Sequence, residues 1–128
     1  MLQKHTWLFI SDNTNARWLK IFHLYKGFFR KKTSIGYFIK GSLRVVEPPR
    51  YAYKGFKTKF NKKGDICRSL IIRTKFYSKY KDSTIIKFKN NSGILIKKKK
   101  NPKSKYLYGP VSKNIKQKKL ILLFPKAI

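Results

Sequence analysis

Short apolar runs separated by polar breaks dominate the middle of the chain, from residue 62 to residue 96. Runs this short, rich in β-branched side chains and bounded by Gly, Asn, Asp and Ser, favour strands over helices. Leu70, Ile71 and Ile72 are apolar at consecutive positions, which is typical of a strand covered on both faces. Across the chain the pattern predicts strands at residues 3–10, 18–25, 35–47, 66–72, 84–88 and 94–96.

Turn-forming residues separate these predicted strands. Asp, Asn and Thr crowd residues 11–17, where their side chains can bond nearby backbone amides. Further turns are predicted at residues 62–65 and 89–93, and residues 76–83 form a basic linker. Gly41, inside the third predicted strand, predicts a bend or bulge. The chain is therefore predicted to be mainly β.

Motifs spread along residues 1–128 resemble the L-fourteen family of large-subunit ribosomal proteins. Residues 69–75, SLIIRTK, match that family's strand of a small residue, apolar residues and Arg-Thr-Lys. Asn15 and Ser83 stand where the family usually has Gly. We expect Asn15 to preserve its turn, because Asn tolerates left-handed backbone geometry. We expect the turn at Ser83 to be reshaped. Further matches are Asp12, Asn13, Ala16, Arg17, Gly36, Asp82, Phe88, Asn91, Ile94 and Leu95, and the segments 62–65 and 106–113.

The resemblance implies a small five-stranded antiparallel β-barrel with a projecting β-ribbon and short C-terminal helical turns. We expect a single domain over residues 1–128, in which the part from about residue 97 is a basic loop and helical extension. Within that part, residues 111–119 predict a short basic helix. The apolar residues 120–128 are expected to pack back onto the barrel.

Charge indicates the kind of partner. The chain has 33 Lys and Arg against 4 Asp and Glu, a formal charge of +29, which implies a polyanionic partner. Nucleic acid is the first candidate and an anionic membrane surface the second. Aromatic residues make up 16% of the chain, so a disordered basic tail is not expected. No membrane insertion is expected, because the apolar run at residues 120–124 is far shorter than the ~20 residues that span a bilayer.

Two segments point to RNA more specifically. Residues 50–60 alternate aromatic and cationic side chains, which can stack on unpaired bases and neutralise phosphates; the alternative is a ribbon with a solvated basic face. The turn around Arg17 either lies on RNA or is a structural turn alone. The predicted RNA-binding residues are Asn13, Arg17, Arg30, Lys31, Lys32, Arg44, Arg50, Tyr51, Tyr53, Lys54, Lys57, Lys59, Arg73, Lys75, Lys97, Lys98, Lys99 and Lys100.

The resemblance implies a structural constituent of the large ribosomal subunit that binds ribosomal RNA. It also implies an intersubunit face at Tyr106, Lys113, Lys116 and Lys119. The implied partners are large-subunit RNA, the large-subunit proteins numbered three and nineteen, small-subunit RNA across the interface, and a ribosome silencing factor. The alternative function is a free-standing basic assembly factor or RNA chaperone.

Composition also bears on location. Heavy use of Lys, Phe, Ile, Tyr and Asn is typical of an AT-rich coding genome. The first ten residues lack the features of a secretion signal or an imported transit peptide. We therefore expect the large subunit of a mitochondrial ribosome, with a plastid or an AT-rich bacterium as the alternative.

Catalysis is not expected. The acidic residues are Asp12, Glu47, Asp65 and Asp82, and most of them fit turn positions. His5 and His23 have no Cys or carboxylate at the spacing of metal ligands, and no phosphate-binding Gly loop occurs. Cys67, the single cysteine, excludes an internal disulfide and is expected to be buried. The sequence predicts no metal and no cofactor.

Overall fold

A computed structural model of the protein describes residues 2–12, 14–25, 31–47, 62–79, 81, 83–97, 106–111 and 126–127. None of these residues lies in a helix, so no helix among them is long and apolar enough to cross a membrane. The strands, in chain order, are β1 (Trp7–Ile10), β2 (Ala16–Leu24), β3 (Phe38–Val46), β4 (Ile66–Arg73), β5 (Ser78–Lys79), β6 (Ile85–Ile86), β7 (Ser92–Ile96), β8 (Tyr106–Leu107) and β9 (Lys126–Ala127).

Five strands close into a barrel in the order β1-β2-β3-β4-β7, which confirms the predicted fold class. Adjacent strands are antiparallel except at the closing seam, where β1 and β7 run parallel. There Phe9 pairs with Ser92 and Ile10 with Gly93. The seam therefore joins two strands that are far apart in sequence, in an orientation for which the sequence carries no local signal.

The apolar run of β4 is the centre of the core. Leu70, Ile71 and Ile72 are all fully buried, as the absence of alternation predicted. Leu2 and Leu107, which lie outside the barrel strands, belong to the same buried cluster. The barrel is therefore covered by neighbouring segments as well as filled from within.

Two predicted strands begin later than expected because their first residues form turns. In the first, the amide of Thr6 donates to the carbonyl of Gln3 at 3.3 Å, and His5 has a φ of 69°. In the third, Gly36 has a φ of 86° and donates its amide to the carbonyl of Ile71 at 2.9 Å. The strands themselves therefore begin at Trp7 in β1 and at Phe38 in β3.

The strand predicted at residues 84–88 is only partly correct. Its paired part is β6, and β6 pairs with β5 of the predicted linker to form a two-stranded ribbon outside the barrel. Residues 89–93 therefore do not connect two strands of one hairpin. Ile85 is 59% exposed, so this apolar residue does not contribute to the core.

Gly41 lies at an irregularity in the pairing of β2 with β3, as predicted. Ile21 pairs with Gly41, but His23 pairs with Lys40, so β2 has one extra residue there. A Cβ at position 41 would lie 2.5 Å from the carbonyl oxygen of Lys20. Glycine is needed here because the two backbones approach too closely for any side chain.

The segment after the barrel is attached beside the end of β1. Leu107 forms an antiparallel bridge with Asp12, and the amide of Tyr108 donates to the carbonyl of Ser11 at 2.8 Å. Strands β8 and β9 pair in parallel. The short basic helix predicted at residues 111–119 lies, beyond Val111, outside the described residues.

Candidate nucleic-acid interface

Asp12 holds both the turn after β1 and the neighbouring strand β7. Its Oδ1 accepts hydrogen bonds from the amide of Thr14 at 3.2 Å and from the Thr14 hydroxyl at 2.6 Å. Its Oδ2 accepts from the buried amide of Leu95 at 2.9 Å. The structural role of this turn is therefore observed, and Asp12 is a buried carboxylate rather than a surface charge.

Arg17 and Glu47 form a two-pronged ion pair across β2 and the end of β3. The Arg17 Nε donates to Glu47 Oε1 at 2.7 Å, and its Nη2 donates to Oε2 at 2.8 Å. The third nitrogen, Nη1, donates to the carbonyl of Thr14 at 3.1 Å. Every nitrogen of this guanidinium thus has a partner within the protein, and phosphate contact by Arg17 stays a prediction.

Asn15 preserves its turn without a left-handed backbone. Among the described non-glycine residues, positive φ occurs at His5 and Ser83. The Asn15 side-chain amide instead donates to the carbonyl of Glu47 at 3.2 Å, and its own carbonyl accepts from the Glu47 amide at 2.7 Å. Ser83 has a φ of 67°, a backbone geometry that glycine adopts more readily, and the reshaping of its turn relative to the family stays a prediction.

Asp65 closes the predicted turn before β4. Its Oδ2 accepts from the amide of Lys62 at 2.8 Å, and Gly64 has the positive φ of 91° that the turn requires. All acids in the described part of the chain are therefore occupied in turns or ion pairs. Even if every one of the 4 acids neutralised a cation, 33 − 4 = 29 positive charges would lack a carboxylate partner.

Several predicted RNA-binding cations are exposed on the described surface: Lys31, Lys32, Arg44, Lys75 and Lys97. The backbone of Lys75 is anchored, because its amide donates to the side-chain oxygen of Asn91 at 2.8 Å. Tyr106 lies in β8, beside β9. The other predicted site residues lie outside the described residues: Asn13, Arg30, Arg50, Tyr51, Tyr53, Lys54, Lys57, Lys59, Lys98, Lys99, Lys100, Lys113, Lys116 and Lys119.

Arg73 differs from these cations because it is only 7% exposed. Its Nη2 donates to the hydroxyl of Ser92 at 3.0 Å, and desolvation by burial lowers the pKa of its guanidinium below the usual value. A Cβ on Gly109 would lie 1.9 Å from the Arg73 Nη1. The guanidinium therefore packs on the backbone of the C-terminal segment, a position that gives phosphate little access to it.

Several exposed aromatic residues of the described part were missing from the predicted site. Phe76 and Tyr77 stack with ring centroids 4.6 Å apart and planes at 21°. On the barrel, Trp18 makes edge-to-face contacts with Trp7 and Phe9 at 6.3 and 5.4 Å. The signal for the first pair was present in the sequence as two adjacent aromatics inside a basic linker.

Within the described residues, no three His, Cys, Asp or Glu side chains lie close enough to hold a metal ion. His23 is exposed and rests edge-to-face on Tyr25, with centroids 5.0 Å apart. Cys67 is buried, as its place in a strand predicted.

The fold and its surface define a small, strongly basic β-barrel protein whose acidic side chains, in the part that the structure describes, serve its own turns and an ion pair. The family model described as Ribosomal protein L14p/L23e matches residues 1–128, and the chain belongs to that family. It is therefore a ribosomal protein, and the family implies the large subunit, a ribosome-associated location, and ribosomal RNA and ribosomal proteins as partners. Such families are generally structural rather than enzymatic.

Proposed function

We propose that this protein is a structural constituent of the large ribosomal subunit that fastens ribosomal RNA and contributes to the intersubunit interface. The observation that carries this proposal is the engagement of Asp12, Glu47 and Asp65 within the protein's own turns and ion pair. The excess of 29 cations is thereby left to an external polyanion. Exposed lysines and arginines bind phosphates without reading base identity, so they hold RNA in place rather than select a sequence.

Support for the intersubunit role comes from the family and from the attachment of β8. Leu107 and Tyr108 are fixed to Asp12 and Ser11, so the segment leading to Lys113 leaves the barrel at a defined place. On the other side of the interface the partner is small-subunit RNA. The large-subunit proteins numbered three and nineteen are the proposed neighbours, and a silencing factor that blocks subunit joining is a proposed ligand of the same face.

Sedimentation tests the proposed function against the alternative of a free-standing chaperone. A constituent stays with mature large subunits when they are centrifuged in high salt, because many buried phosphate contacts must break together. A chaperone held by exposed charges leaves the particle, since salt weakens each contact. Loss of the protein from mature subunits under conditions that retain other constituents would refute the proposal.

Charge reversal at Lys116 and Lys119 tests the intersubunit role. We expect large subunits to assemble with the variant but to join small subunits poorly, most visibly at raised salt. Reversal at Lys62 and Lys63, two exposed residues of the turn before β4, is the matched control. Reduced incorporation of the variant, with normal joining of the particles that contain it, would place these lysines on large-subunit RNA instead.

The proposed location is the mitochondrial matrix, within the mitochondrial large subunit. The support is the abundance of Lys, Ile, Phe, Tyr and Asn, a composition typical of an AT-rich coding genome. Fractionation of the source cells tests this location: the protein should sediment with mitochondrial ribosomes. Recovery with plastid or cytosolic ribosomes would refute it.

A further inference from the structure

The β5–β6 ribbon leaves the barrel from a fixed base. Besides the amide of Lys75, which donates to Asn91, the hydroxyl of Thr74 donates to the carbonyl of Phe76 at 3.0 Å. The amide of Phe88 donates to the carbonyl of Thr74 at 3.3 Å, on the returning chain. Both chains of the ribbon are thus tied to the end of β4, so what the ribbon carries is presented in a defined direction.

At this base the ribbon carries two stacked rings that do not belong to the hydrophobic core cluster. Phe76 is 43% exposed and Tyr77 is 54% exposed, although their centroids lie 4.6 Å apart in a nearly parallel stack. A stack of two rings covers one face of each ring and leaves the outer faces for a third planar group. Exposed aromatic faces next to cations are the kind of surface on which the bases of single-stranded nucleic acid stack.

The charges around the rings identify that partner's chemistry. Exposed lysines occupy both chains of the ribbon and its base, and Asp82, the one acid in this stretch of sequence, lies outside the described residues. A protein partner would be expected to meet a surface depleted of lysine at its centre. Rings flanked by lysines instead fit single-stranded nucleic acid, whose bases stack while its phosphates are neutralised. These lysines are Lys75, Lys79, Lys81, Lys87 and Lys89.

We propose that the Phe76–Tyr77 pair takes an unpaired base of ribosomal RNA as the third layer of its stack, with the ribbon lysines on the adjoining phosphates. The proposal rests on the proposed function, because it names the RNA element that the ribosomal protein would hold here. It goes beyond phosphate fastening, since stacking requires an unpaired base, as in a loop, a bulge or a strand end. An RNA duplex alone would not satisfy this site.

Ultraviolet cross-linking of intact large subunits tests the contact where it occurs. A base stacked on an aromatic ring forms a covalent adduct on irradiation, and mass spectrometry should find a nucleotide attached to the peptide of residues 76–79. Sedimentation of the same sample reports the proposed function separately. A protein that sediments with the subunit but carries no adduct on that peptide would overturn the stacking inference alone; a protein absent from the subunit would overturn both.

Binding by the purified full chain separates bases from phosphates. The probes are a single-stranded oligouridine and an oligonucleotide of equal length whose residues are abasic. The double variant Phe76→Leu, Tyr77→Leu should bind oligouridine about 10-fold more weakly, equivalent to ~1.4 kcal/mol, and the abasic strand unchanged. The matched control is Phe22→Leu, which removes an exposed ring from β2 and should change neither affinity.

The lysines are tested by the salt dependence of the same binding. The slope of log affinity against log salt is negative, and replacing Lys79 and Lys87 by Gln should make it shallower by ~1.4, at roughly 0.7 for each phosphate contact with a single strand. The double leucine variant should leave that slope unchanged. Equal loss of affinity for oligouridine and the abasic strand in the leucine variant would overturn the inference, as would a preference of the wild type for the abasic strand.

Discussion

Replacement of Asp12 by Asn changes one oxygen of the carboxylate to an NH₂ group and should remove a large share of the barrel's free energy of unfolding. Both carboxylate oxygens of Asp12 accept hydrogen bonds, one from Thr14 and the other from the Leu95 amide. Asn has a single acceptor oxygen, so in either orientation its NH₂ group points at a donor. If the NH₂ group faces Leu95, a buried amide loses its partner. If it faces Thr14, the Thr14 amide loses its acceptor, although the Thr14 hydroxyl can turn to accept from the NH₂ group.

The size of the effect follows from burial. An unsatisfied buried donor costs about 1–3 kcal/mol, and a hydrogen bond to a charged group contributes about 1.5–3 kcal/mol. Since Asp12 is only 1% exposed, water cannot replace the lost partner, and we expect a decrease of ~2–4 kcal/mol in the free energy of unfolding. That is a large share of the ~5–15 kcal/mol typical of a folded domain.

Urea unfolding in concentrated sulfate, followed by tryptophan fluorescence, measures the loss while the salt screens the protein's self-repulsion. The midpoint should fall by ~1–2 M, given a slope of about 2 kcal/mol per molar urea. The matched control is Asp65→Asn: this exposed carboxylate uses one oxygen on Lys62, which Asn can supply, so the change should stay within ~0.5 kcal/mol. Equal midpoints for the two variants would refute the role assigned to Asp12.

Four further predictions concern smaller features. Gly109→Ala should free β8 from the barrel, because Gly109 has a φ of 85° and a Cβ there would clash with Arg73. We expect the free energy of unfolding to fall by at least ~1–2 kcal/mol and amide exchange in β8 to become faster. The fall should be smaller in an Arg73→Ala background, where the clash is absent. A double-mutant cycle of Arg17→Met and Glu47→Gln should give a coupling of ~0.5–1 kcal/mol, because the pair is partly exposed; a coupling far above this would contradict it. Ser83→Gly should slow amide exchange in the β5–β6 ribbon, because it relieves left-handed backbone strain of roughly 1 kcal/mol at this residue. The larger entropy of glycine in the unfolded chain offsets part of that gain, and faster exchange would count against the prediction. In dilute buffer without RNA, the protein should lack a cooperative thermal transition because of its charge of +29, and ribosomal RNA should restore one; a sharp transition of the free protein would contradict this.

Local patterns predicted the parts of the fold that depend on local chemistry. The unbroken apolar run at Leu70–Ile72 formed a buried strand, and the turn after β1, with Asp12 and its neighbouring Asn and Thr residues, formed as expected. The turn at residues 62–65 formed because Gly64 and Asp65 supply its backbone geometry and its cap. These features need only near neighbours in the sequence.

Pairing between distant residues accounts for what the sequence did not predict. The parallel seam of β1 with β7 and the burial of Arg73 under Gly109 depend on segments that meet only in the folded barrel. The ion pair of Arg17 with Glu47 was not predicted either, because a cation in a turn looks the same in the sequence whether or not a carboxylate lies opposite. The strand at residues 84–88 was overextended because β-branched residues favour strands but do not specify a partner.

The parallel seam has a consequence for the timing of synthesis. The carboxylate of Asp12 accepts a hydrogen bond from the amide of Leu95, which lies 83 residues further along the chain and is synthesised later. At roughly 5–20 residues per second, that partner is made about 4–17 s later. Until then β1 is an open sheet edge that other chains can pair with. A translation product that stops before Ser92 lacks the strand that closes the seam, so it is not a smaller barrel but an unclosed sheet, prone to aggregate.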